Sequence, residues 1–324
     1  MKVAVWGLGQ HAIRNILPAL NQSRNLSLHG VFSRDKKIVN KCAKDFQCTS
    51  WSTLEDMLGD AELEAIYVST PPGLHYDQGI KVLSANKHFW CEKPFTTDLV
   101  DSQKIIDLSI KKKLSVCEAL MYLYHPQFTK LKELIDKKAL GAIKKVNCRF
   151  TLPKLDNPGY RFDASLGGSA LLDVGTYPLS AILNLFPKSK IKIVNSALIQ
   201  DQTNAIDSAG KIELSIDKKI NCSLEWAYNK NYRNEIKIWG ERGSLFAERI
   251  FSKQAEYAPS IILKNSKGSK TKIEIMPANH FSLMLESFSD STCHEDKLNH
   301  HREAILNLIK FIHDIKESIS NIHN

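Results

Sequence analysis

The sequence has no long apolar segment and no paired cysteines. No apolar run approaches the roughly 20 residues that span a bilayer, so no membrane partner is expected. The first predicted strand begins at Lys2, so no leader peptide and a cytoplasmic location are expected. The seven cysteines are odd in number and none stands in a C-x-x-C pair. The sequence therefore predicts neither a disulfide framework nor a metal site.

Aromatic residues are missing from the basic groups of the chain. There are 44 Lys and Arg against 35 Asp and Glu, which gives a formal net charge of +9. The lysines stand in short groups, such as 111–113 and 137–138, without the interleaved aromatics of a nucleic-acid platform. We therefore expect no nucleic-acid partner. The charge indicates a solvated basic surface with a mild preference for anionic ligands.

The pattern of apolar residues changes near residue 120. The 324 residues exceed the roughly 100–200 of one ordinary domain, so two domains are expected. Up to residue 120 short apolar strands alternate with helices, which predicts a parallel sheet covered on both faces. Beyond it, strands that alternate apolar with polar residues dominate, and an amphipathic helix over 303–319 ends the pattern. The predicted domains are 1–120 and 121–324.

A glycine-rich turn follows the first predicted strand. Residues 7–12 read G-L-G-Q-H-A, between a strand and a helix. Gly7 permits the tight turn, and Gly9 lets the backbone approach a pyrophosphate. Free N–H groups at the start of the helix then face the phosphates. In this context the motif predicts dinucleotide binding. The other residues of the binding loop are Leu8, Gln10 and His11.

The end of the second strand lacks the acidic residue that receives the ribose hydroxyl of NAD. Residues 31–34 read V-F-S-R, and Asp35 comes one or two places too late. Ser33 can hydrogen-bond a 2′-phosphate, Arg34 offers it a planar fork, and Lys37 can add charge. NADP is therefore favoured over NAD. The alternative is an arginine that only stacks on adenine.

Two more segments follow predicted strands at the edge where open α/β sheets bind ligands. Thr70 and Pro71, with His75, follow the third strand, and Glu92 and Lys93 follow the fourth. A lysine there can hydrogen-bond a substrate hydroxyl or carbonyl near the nicotinamide, while Glu92 orients local groups. Taken alone, the first segment is equally typical of a proline-rich turn, and the second of surface charge.

Residues 166–178 are unusual for a helix because they include Gly175 and Pro178. Asp173 and Tyr177 are four residues apart, so they lie on one helix face among apolar neighbours. Departures from helix preferences are tolerated most often at functional sites. The pattern favours a pair of polar groups that points into a crevice. The alternative is a helix-capping segment with a buried tyrosine.

Together these segments resemble the glucose–fructose oxidoreductase/inositol dehydrogenase (Gfo/Idh/MocA) family over nearly the whole chain. The resemblance implies an N-terminal Rossmann domain followed by an α+β domain with a large, open, mostly antiparallel sheet. Such sheets commonly join subunits, so a homodimer or homotetramer is expected. The matched segments are 7–12, 70–72 with His75, 92–94, 118–121, 125–127 and 167–177.

Many family members carry histidine where this chain has Tyr177. With tyrosine at this position, the chain resembles the branch of the family that contains the dihydrodiol and xylose dehydrogenases and the nucleotide-sugar 3-ketoreductases. The resemblance implies hydride transfer between the nicotinamide and a sugar carbon, with Tyr177 moving the hydroxyl proton. Lys93 would lower the pKa of that phenol and polarise the carbonyl. Asp173 would bind the substrate or hold Lys93, and Arg161 would approach the nicotinamide phosphates.

The expected substrate is a sugar or keto-sugar, and one candidate form of it carries a nucleoside diphosphate. Two alternatives stay open. One is a dihydrodiol or xylose-type aldose dehydrogenase, and the other is a non-catalytic sensor that only binds NADP.

Overall fold

The computed structural model describes residues 1–201 and 203–320, apart from the side chain of residue 320. The chain divides into two compact units. The first comprises Met1–Leu120 and Phe281–Ile309. The second comprises Met121–His280 and the end of the chain from Lys310. None of the helices in the described part of the chain is both long and apolar enough to cross a membrane.

The first unit is built on a parallel sheet of six strands. They are β1 (Lys2–Trp6), β2 (Ser27–Phe32), β3 (Thr49–Ser50), β4 (Ala65–Val68), β5 (His88–Glu92) and β6 (Val116–Ala119). Their spatial order is β3-β2-β1-β4-β5-β6. Strands β4 and β6 are buried along their whole length, as in parallel sheets with both faces covered.

Helices connect these strands. A π-helical segment, Ala12–Ile16, leads directly into the first α-helix. The helices are α1 (Leu17–Asn21), α2 (Lys36–Phe46), α3 (Leu54–Gly59), α4 (His75–Ser84) and α5 (Leu99–Lys112). Side-chain caps define several starts: Asp35 caps α2, Thr53 caps α3 through a capping box, and Asp98 caps α5.

The second unit is built on an open sheet of eight strands. In chain order its elements are α6 (Pro126–Asp136), β7 (Ile143–Thr151), α7 (Thr176–Leu185), β8 (Ile191–Asp201), β9 (Ile206–Ile216), β10 (Ile220–Ala227), β11 (Arg233–Gly240), β12 (Gly243–Glu248), β13 (Ser260–Asn265) and β14 (Lys270–Glu274). The strand order is β14-β13-β12-β11-β7-β10-β9-β8. Every neighbouring pair is antiparallel except β7 and β10.

The helix that carries two of the candidate residues packs on this sheet. A π-helical segment, Leu171–Gly175, continues into α7 and is buried at every position. Glycines allow the close approach. A Cβ on Gly175 would lie 3.0 Å from the Trp226 ring, and one on Gly210 would lie 2.3 Å from it. The predicted fold class, a Rossmann-type sheet followed by a large, mostly antiparallel sheet, is confirmed.

Two helices end the chain, α8 (His280–Ser291) and α9 (Glu295–Ser320). The sequence prediction assigned all of 121–324 to the second domain, but residues 281–309 pack in the first unit. The ring of Phe288 lies 5.7 Å from that of Trp90. The buried Arg302 donates to the Ser109 carbonyl oxygen at 3.4 Å. These contacts join residues far apart in sequence, so no local pattern could reveal them.

Some elements have no counterpart in the sequence prediction. Strands β13 and β14 and helix α8 are absent from it, and the terminal helix, predicted over 303–319, begins at Glu295. Strand β14 is almost wholly exposed. It therefore lacks the apolar alternation that identifies a half-buried strand.

The close contact of β2 with Trp51 gives a testable prediction for stability. A Cβ on Gly30 would lie 2.5 Å from the Trp51 ring and 2.6 Å from the Thr49 carbonyl oxygen. Because the second contact is with backbone, a side-chain movement cannot relieve it. We expect Gly30→Ala to lower the free energy of unfolding by about 1–3 kcal/mol, measured from urea denaturation.

Gly59→Ala is the matched control, since nothing lies within 4 Å of its added Cβ. It should leave the unfolding midpoint unchanged or slightly raised. Equal midpoints for the two variants would contradict the packing argument.

Candidate functional site

The glycine turn after β1 has the geometry of a phosphate cradle. Gly7 has φ +104°, and a Cβ there would lie 2.6 Å from the Ser69 carbonyl oxygen, so only glycine fits. No protein atom lies within 4 Å of a Cβ built on Gly9, which leaves open space beside the backbone. The following helix starts without a side-chain cap. Its first N–H groups can therefore bind an anion, and the residues present fit a dinucleotide pyrophosphate.

The other loop residues lie around this cradle. Leu8 and Ala12 are buried, and Gln10 is exposed. The imidazole of His11 is 41% exposed, and its Nε2 lies 2.8 Å from Glu92 Oε1.

The polar residues after β2 divide into two groups. The Asp35 carboxylate accepts hydrogen bonds from the backbone N–H groups of Lys37 at 2.9 Å and Ile38 at 3.3 Å. It is therefore used to cap α2. Ser33 is partly exposed, and Arg34 and the Lys37 side chain are exposed. Asp35 and Lys36 are exposed as well, and the Lys36 ammonium donates to the Ser52 carbonyl oxygen.

His75 connects two loops at the carboxyl edge of the sheet. Its Nε2 lies 2.9 Å from the Thr70 carbonyl oxygen and its Nδ1 lies 2.9 Å from the Pro94 carbonyl oxygen. Burial lowers the pKa of His75. The ring has no exposed surface. The sequence suggested that His75 contacts the cofactor. Because the ring is buried, we expect it instead to shape the loop of Thr70 and Pro71.

Glu92 joins the glycine turn to strand β4. Its Oε1 accepts a hydrogen bond from the Tyr67 hydroxyl at 2.6 Å, in addition to the contact with His11. Burial favours the neutral acid, but the charge of His11 and hydrogen bonds from His11 and Tyr67 outweigh it and lower the pKa of Glu92. Glu92 is thus held as a carboxylate. Tyr67 was missed from the sequence because it reads as one more apolar residue of a buried strand.

Lys93 lies between two acidic side chains. It is 8% exposed, and its charge lowers the pKa of both Glu92 and Glu118. The Lys93–Pro94 peptide bond is cis. Glu118 Oε1 accepts a hydrogen bond from the Phe95 N–H at 2.8 Å. Burial nevertheless raises the pKa of Glu118 to about 7.

Glu118 entered the sequence analysis only as part of a matched segment. One feature of the sequence could have pointed to Glu118. It is a carboxylate near the end of the buried strand β6, which pairs with the strand that precedes Lys93. A buried carboxylate needs a hydrogen-bond donor or a cation nearby, but the sequence pattern did not indicate which residue provides it.

In the second unit, Asp173 accepts hydrogen bonds from Arg161 and Tyr228, among others of its contacts. Arg161 Nε donates to Asp173 Oδ2 at 2.6 Å, and the Tyr228 hydroxyl donates to the same oxygen at 3.1 Å. Burial disfavours the charged form of Arg161, but the negative charge of Asp173 has the larger effect and raises the pKa of Arg161. The sequence placed Arg161 near the nicotinamide phosphates, whereas within its unit it pairs with Asp173. Tyr228 was missed.

Tyr177 lies one helical turn after Asp173 and is 7% exposed. Its ring packs against Phe150 and Phe251, at centroid distances of 5.0 and 5.7 Å. Its hydroxyl donates to Met121 Sδ at 3.8 Å, a weak acceptor. The aromatic packing fixes the position of the ring.

The raised pKa of Glu118 predicts a pH dependence of stability. The folded protein binds this proton more tightly than the unfolded chain does. The stabilisation is therefore complete below the ordinary glutamate pKa of about 4.5 and is lost as pH rises through about 7. Glu118→Gln keeps an acceptor for the Phe95 N–H and removes the titration. We expect its melting temperature to fall less than that of the wild type between pH 5 and pH 8.

Scanning calorimetry at both pH values measures this difference. Glu62→Gln, at a side chain that is 67% exposed, is the control and should retain the wild-type dependence. An unchanged pH dependence in Glu118→Gln would show that another group is responsible.

Comparison with known proteins identifies the family. Residues 1–120 match the model of an oxidoreductase family with an NAD-binding Rossmann fold (GFO_IDH_MocA). Residues 128–246 match the GFO/IDH/MocA C-terminal domain. The two matched ranges together cover well over half of the chain.

Individual relatives agree with these matches. The dTDP-3,4-didehydro-2,6-dideoxy-alpha-D-glucose 3-reductase of Saccharopolyspora spinosa is 28% identical over 79% of this chain and 77% of its own. The D-xylose 1-dehydrogenase (NADP(+)) 2 of Haloferax volcanii is 28% identical over 56% of each chain.

A solved structure shows the same fold. The 3-ketoreductase KijD10 of Actinomadura kijaniata, in complex with NADP and TDP-benzene, superimposes with a TM-score of 0.93. The alignment covers 98% of this chain and 97% of that one, at 24% identity. The resemblance inferred from the motifs is confirmed: the chain belongs to the Gfo/Idh/MocA family of oxidoreductases.

Proposed function

We propose that this chain is an NADP-dependent oxidoreductase that interconverts a carbonyl and a hydroxyl group on a sugar, with nucleotide-linked keto-sugars as the favoured substrates. The observation that carries the proposal is the buried Lys93, placed at the same sheet edge as the glycine cradle. The relatives support it, since they include nucleotide-sugar 3-reductases and an NADP-dependent xylose dehydrogenase.

The residues of the first unit would hold the cofactor. Gly7 and Gly9 would leave room for the pyrophosphate, and Thr70 and Pro71 would line the next loop of the same edge. Ser33, Arg34 and Lys37 would bind the 2′-phosphate, because Asp35 is used by α2. When bound, NADPH supplies the hydride that reduces the carbonyl carbon.

The chain's own residues would manage charge and protons. Tyr177 would give its hydroxyl proton to the carbonyl oxygen as that oxygen becomes an alkoxide, and would recover the proton from water. Lys93 would stabilise the developing negative charge. Glu92 and Glu118 would hold the Lys93 loop. Asp173 would accept a hydrogen bond from a substrate hydroxyl.

A xylose-type aldose dehydrogenase is the second candidate, favoured by the similarity to the Haloferax enzyme. The net charge of +9 favours the anionic, nucleotide-linked substrate. A panel of D-glucose, D-xylose and their nucleoside-diphosphate-linked forms, each assayed with NADP, separates the two. Binding of NADP without turnover of any sugar would instead favour a sensor.

The open sheet of the second unit suggests a self-association surface. Its edge strand β8 exposes Val194 (64%) and Ile199 (56%). Because such sheets commonly join subunits in this family, we propose a homodimer or homotetramer formed through this sheet. We also propose a cytoplasmic location for the enzyme.

The cofactor assignment predicts a selective loss of affinity. Arg34→Ala should raise the dissociation constant for NADPH about tenfold or more, since a charge-assisted bond to phosphate is lost. Affinity for NADH, which lacks that phosphate, should change little. Calorimetric titration measures both. Arg24→Ala, at another exposed arginine of the unit, is the control. Equal losses for the two cofactors would refute the assignment.

The catalytic assignment predicts large losses of rate. Tyr177→Phe should reduce kcat by roughly 10²–10⁴-fold, the usual contribution of a positioned acid–base group. Lys93→Met should reduce kcat over the same range because the developing charge is no longer stabilised. Both should still bind NADPH, as fluorescence quenching would measure. Tyr232→Phe and Lys104→Met, at exposed side chains, are the controls. Wild-type turnover in both site variants would show the assignment to be wrong.

A further inference from the structure

Tyr228 is a buried polar group that the proposed reaction does not yet use. It is 3% exposed and directly follows β10. Its hydroxyl lies 3.1 Å from Asp173 Oδ2 and 3.1 Å from the Ser169 carbonyl oxygen. Asp173 belongs to the buried helical segment Leu171–Gly175 that continues into α7, and Ser169 lies two residues before that segment. The hydroxyl thus links the end of a strand to the turn that precedes Tyr177.

The backbone of Tyr228 is held by the sheet. Its N–H donates to the Ser208 carbonyl oxygen at 2.8 Å, which extends the pairing of β10 with β9 by one residue. Its ring lies 5.5 Å from that of Phe162. Neither contact involves the hydroxyl. Removing the hydroxyl should therefore leave the ring in place.

A second residue of the sheet fixes the same turn. Asp207, on β9, accepts hydrogen bonds from the Ser169 hydroxyl and from the Leu171 N–H, the latter at 2.7 Å. The start of the helix is thus anchored even without Tyr228. The Tyr228 hydroxyl is needed for something more local, the orientation of the Asp173 carboxylate.

The two donors to Asp173 differ in rigidity. Arg161 belongs to a short 3-10 segment, Gly159–Phe162, and its side chain is 32% exposed. Tyr228 is buried and stands on a strand end. Burial and the Asp173 charge raise the pKa of Tyr228, so its phenol remains a donor at neutral pH and cannot serve as the base. Arg161 compensates the charge of the Asp173 carboxylate, and the Tyr228 hydroxyl orients that carboxylate.

We infer that Tyr228 is a positioning residue for the reaction: its hydroxyl fixes the Asp173 carboxylate in the orientation that the substrate requires. The inference rests on the proposed function. It adds a residue on a different element from the helix that holds Asp173 and Tyr177, and it assigns Tyr228 no contact with the reacting atoms.

Tyr228→Phe should lower kcat about tenfold with the sugar of the panel that gives the highest kcat/KM. The carboxylate loses the buried Tyr228 donor, so its orientation is held less firmly. The dissociation constant for NADP and the melting temperature should stay close to wild type. Tyr232→Phe removes a hydroxyl four residues along the chain, on a side chain that is 41% exposed and accepts a hydrogen bond from Asn234, and it should keep the wild-type kcat.

A double-mutant cycle distinguishes positioning from a general structural effect. If Tyr228 acts through Asp173, then Tyr228→Phe should cause no further loss of kcat in an Asp173→Asn background. A tenfold loss in both backgrounds would overturn the inference, as would a wild-type kcat in the single variant. Absence of turnover by the wild type with every sugar of the panel would instead overturn the proposed function.

Discussion

Parallel pairing of β1, β4 and β5 is the constraint on which the candidate cofactor site depends. Their carboxyl ends meet at one edge, so the loops that follow them lie side by side although Gly7 and Lys93 are 86 positions apart in the sequence. His75 reinforces this edge, because its ring bonds two of the loops that leave it. Glu92 does the same for the glycine turn through His11. The sheet brings the loops together, and buried polar side chains then fix their separations.

Both units solve the same electrostatic problem in the same way. A buried carboxylate is costly unless it is paired or hydrogen-bonded. Glu92 receives an imidazole and a phenol, and Asp173 receives a guanidinium and a phenol. A buried tyrosine supplies a directional bond in each case. Burial raises the pKa of Glu118, and the Phe95 N–H and the charge of Lys93 only partly offset this effect.

Local patterns allowed much of this structure to be predicted, and the limits of the prediction are physical. The turn at Gly7 needs positive φ and a Cβ-free approach, requirements that any reader of the sequence can recognise. The spacing of Asp173 and Tyr177 likewise follows from helical periodicity. The partners of Asp173 do not, because Tyr228 lies 55 residues away on a strand end. The same holds for Arg302, which donates to the carbonyl oxygens of Ser109 and Leu114, 193 and 188 residues earlier.

We propose that cofactor choice is tied to helix capping in this chain. The α2 helix needs acceptors for its first N–H groups, and Asp35 is the residue placed to provide them. A carboxylate turned toward those N–H groups is not oriented to receive a ribose hydroxyl as well. The residues before it, Ser33 and Arg34, are then the polar groups left at the end of β2, and neither is an acid. On this proposal, a one- or two-residue shift of the acidic position would change its task from recognition to capping and would leave the arginine to meet a phosphate.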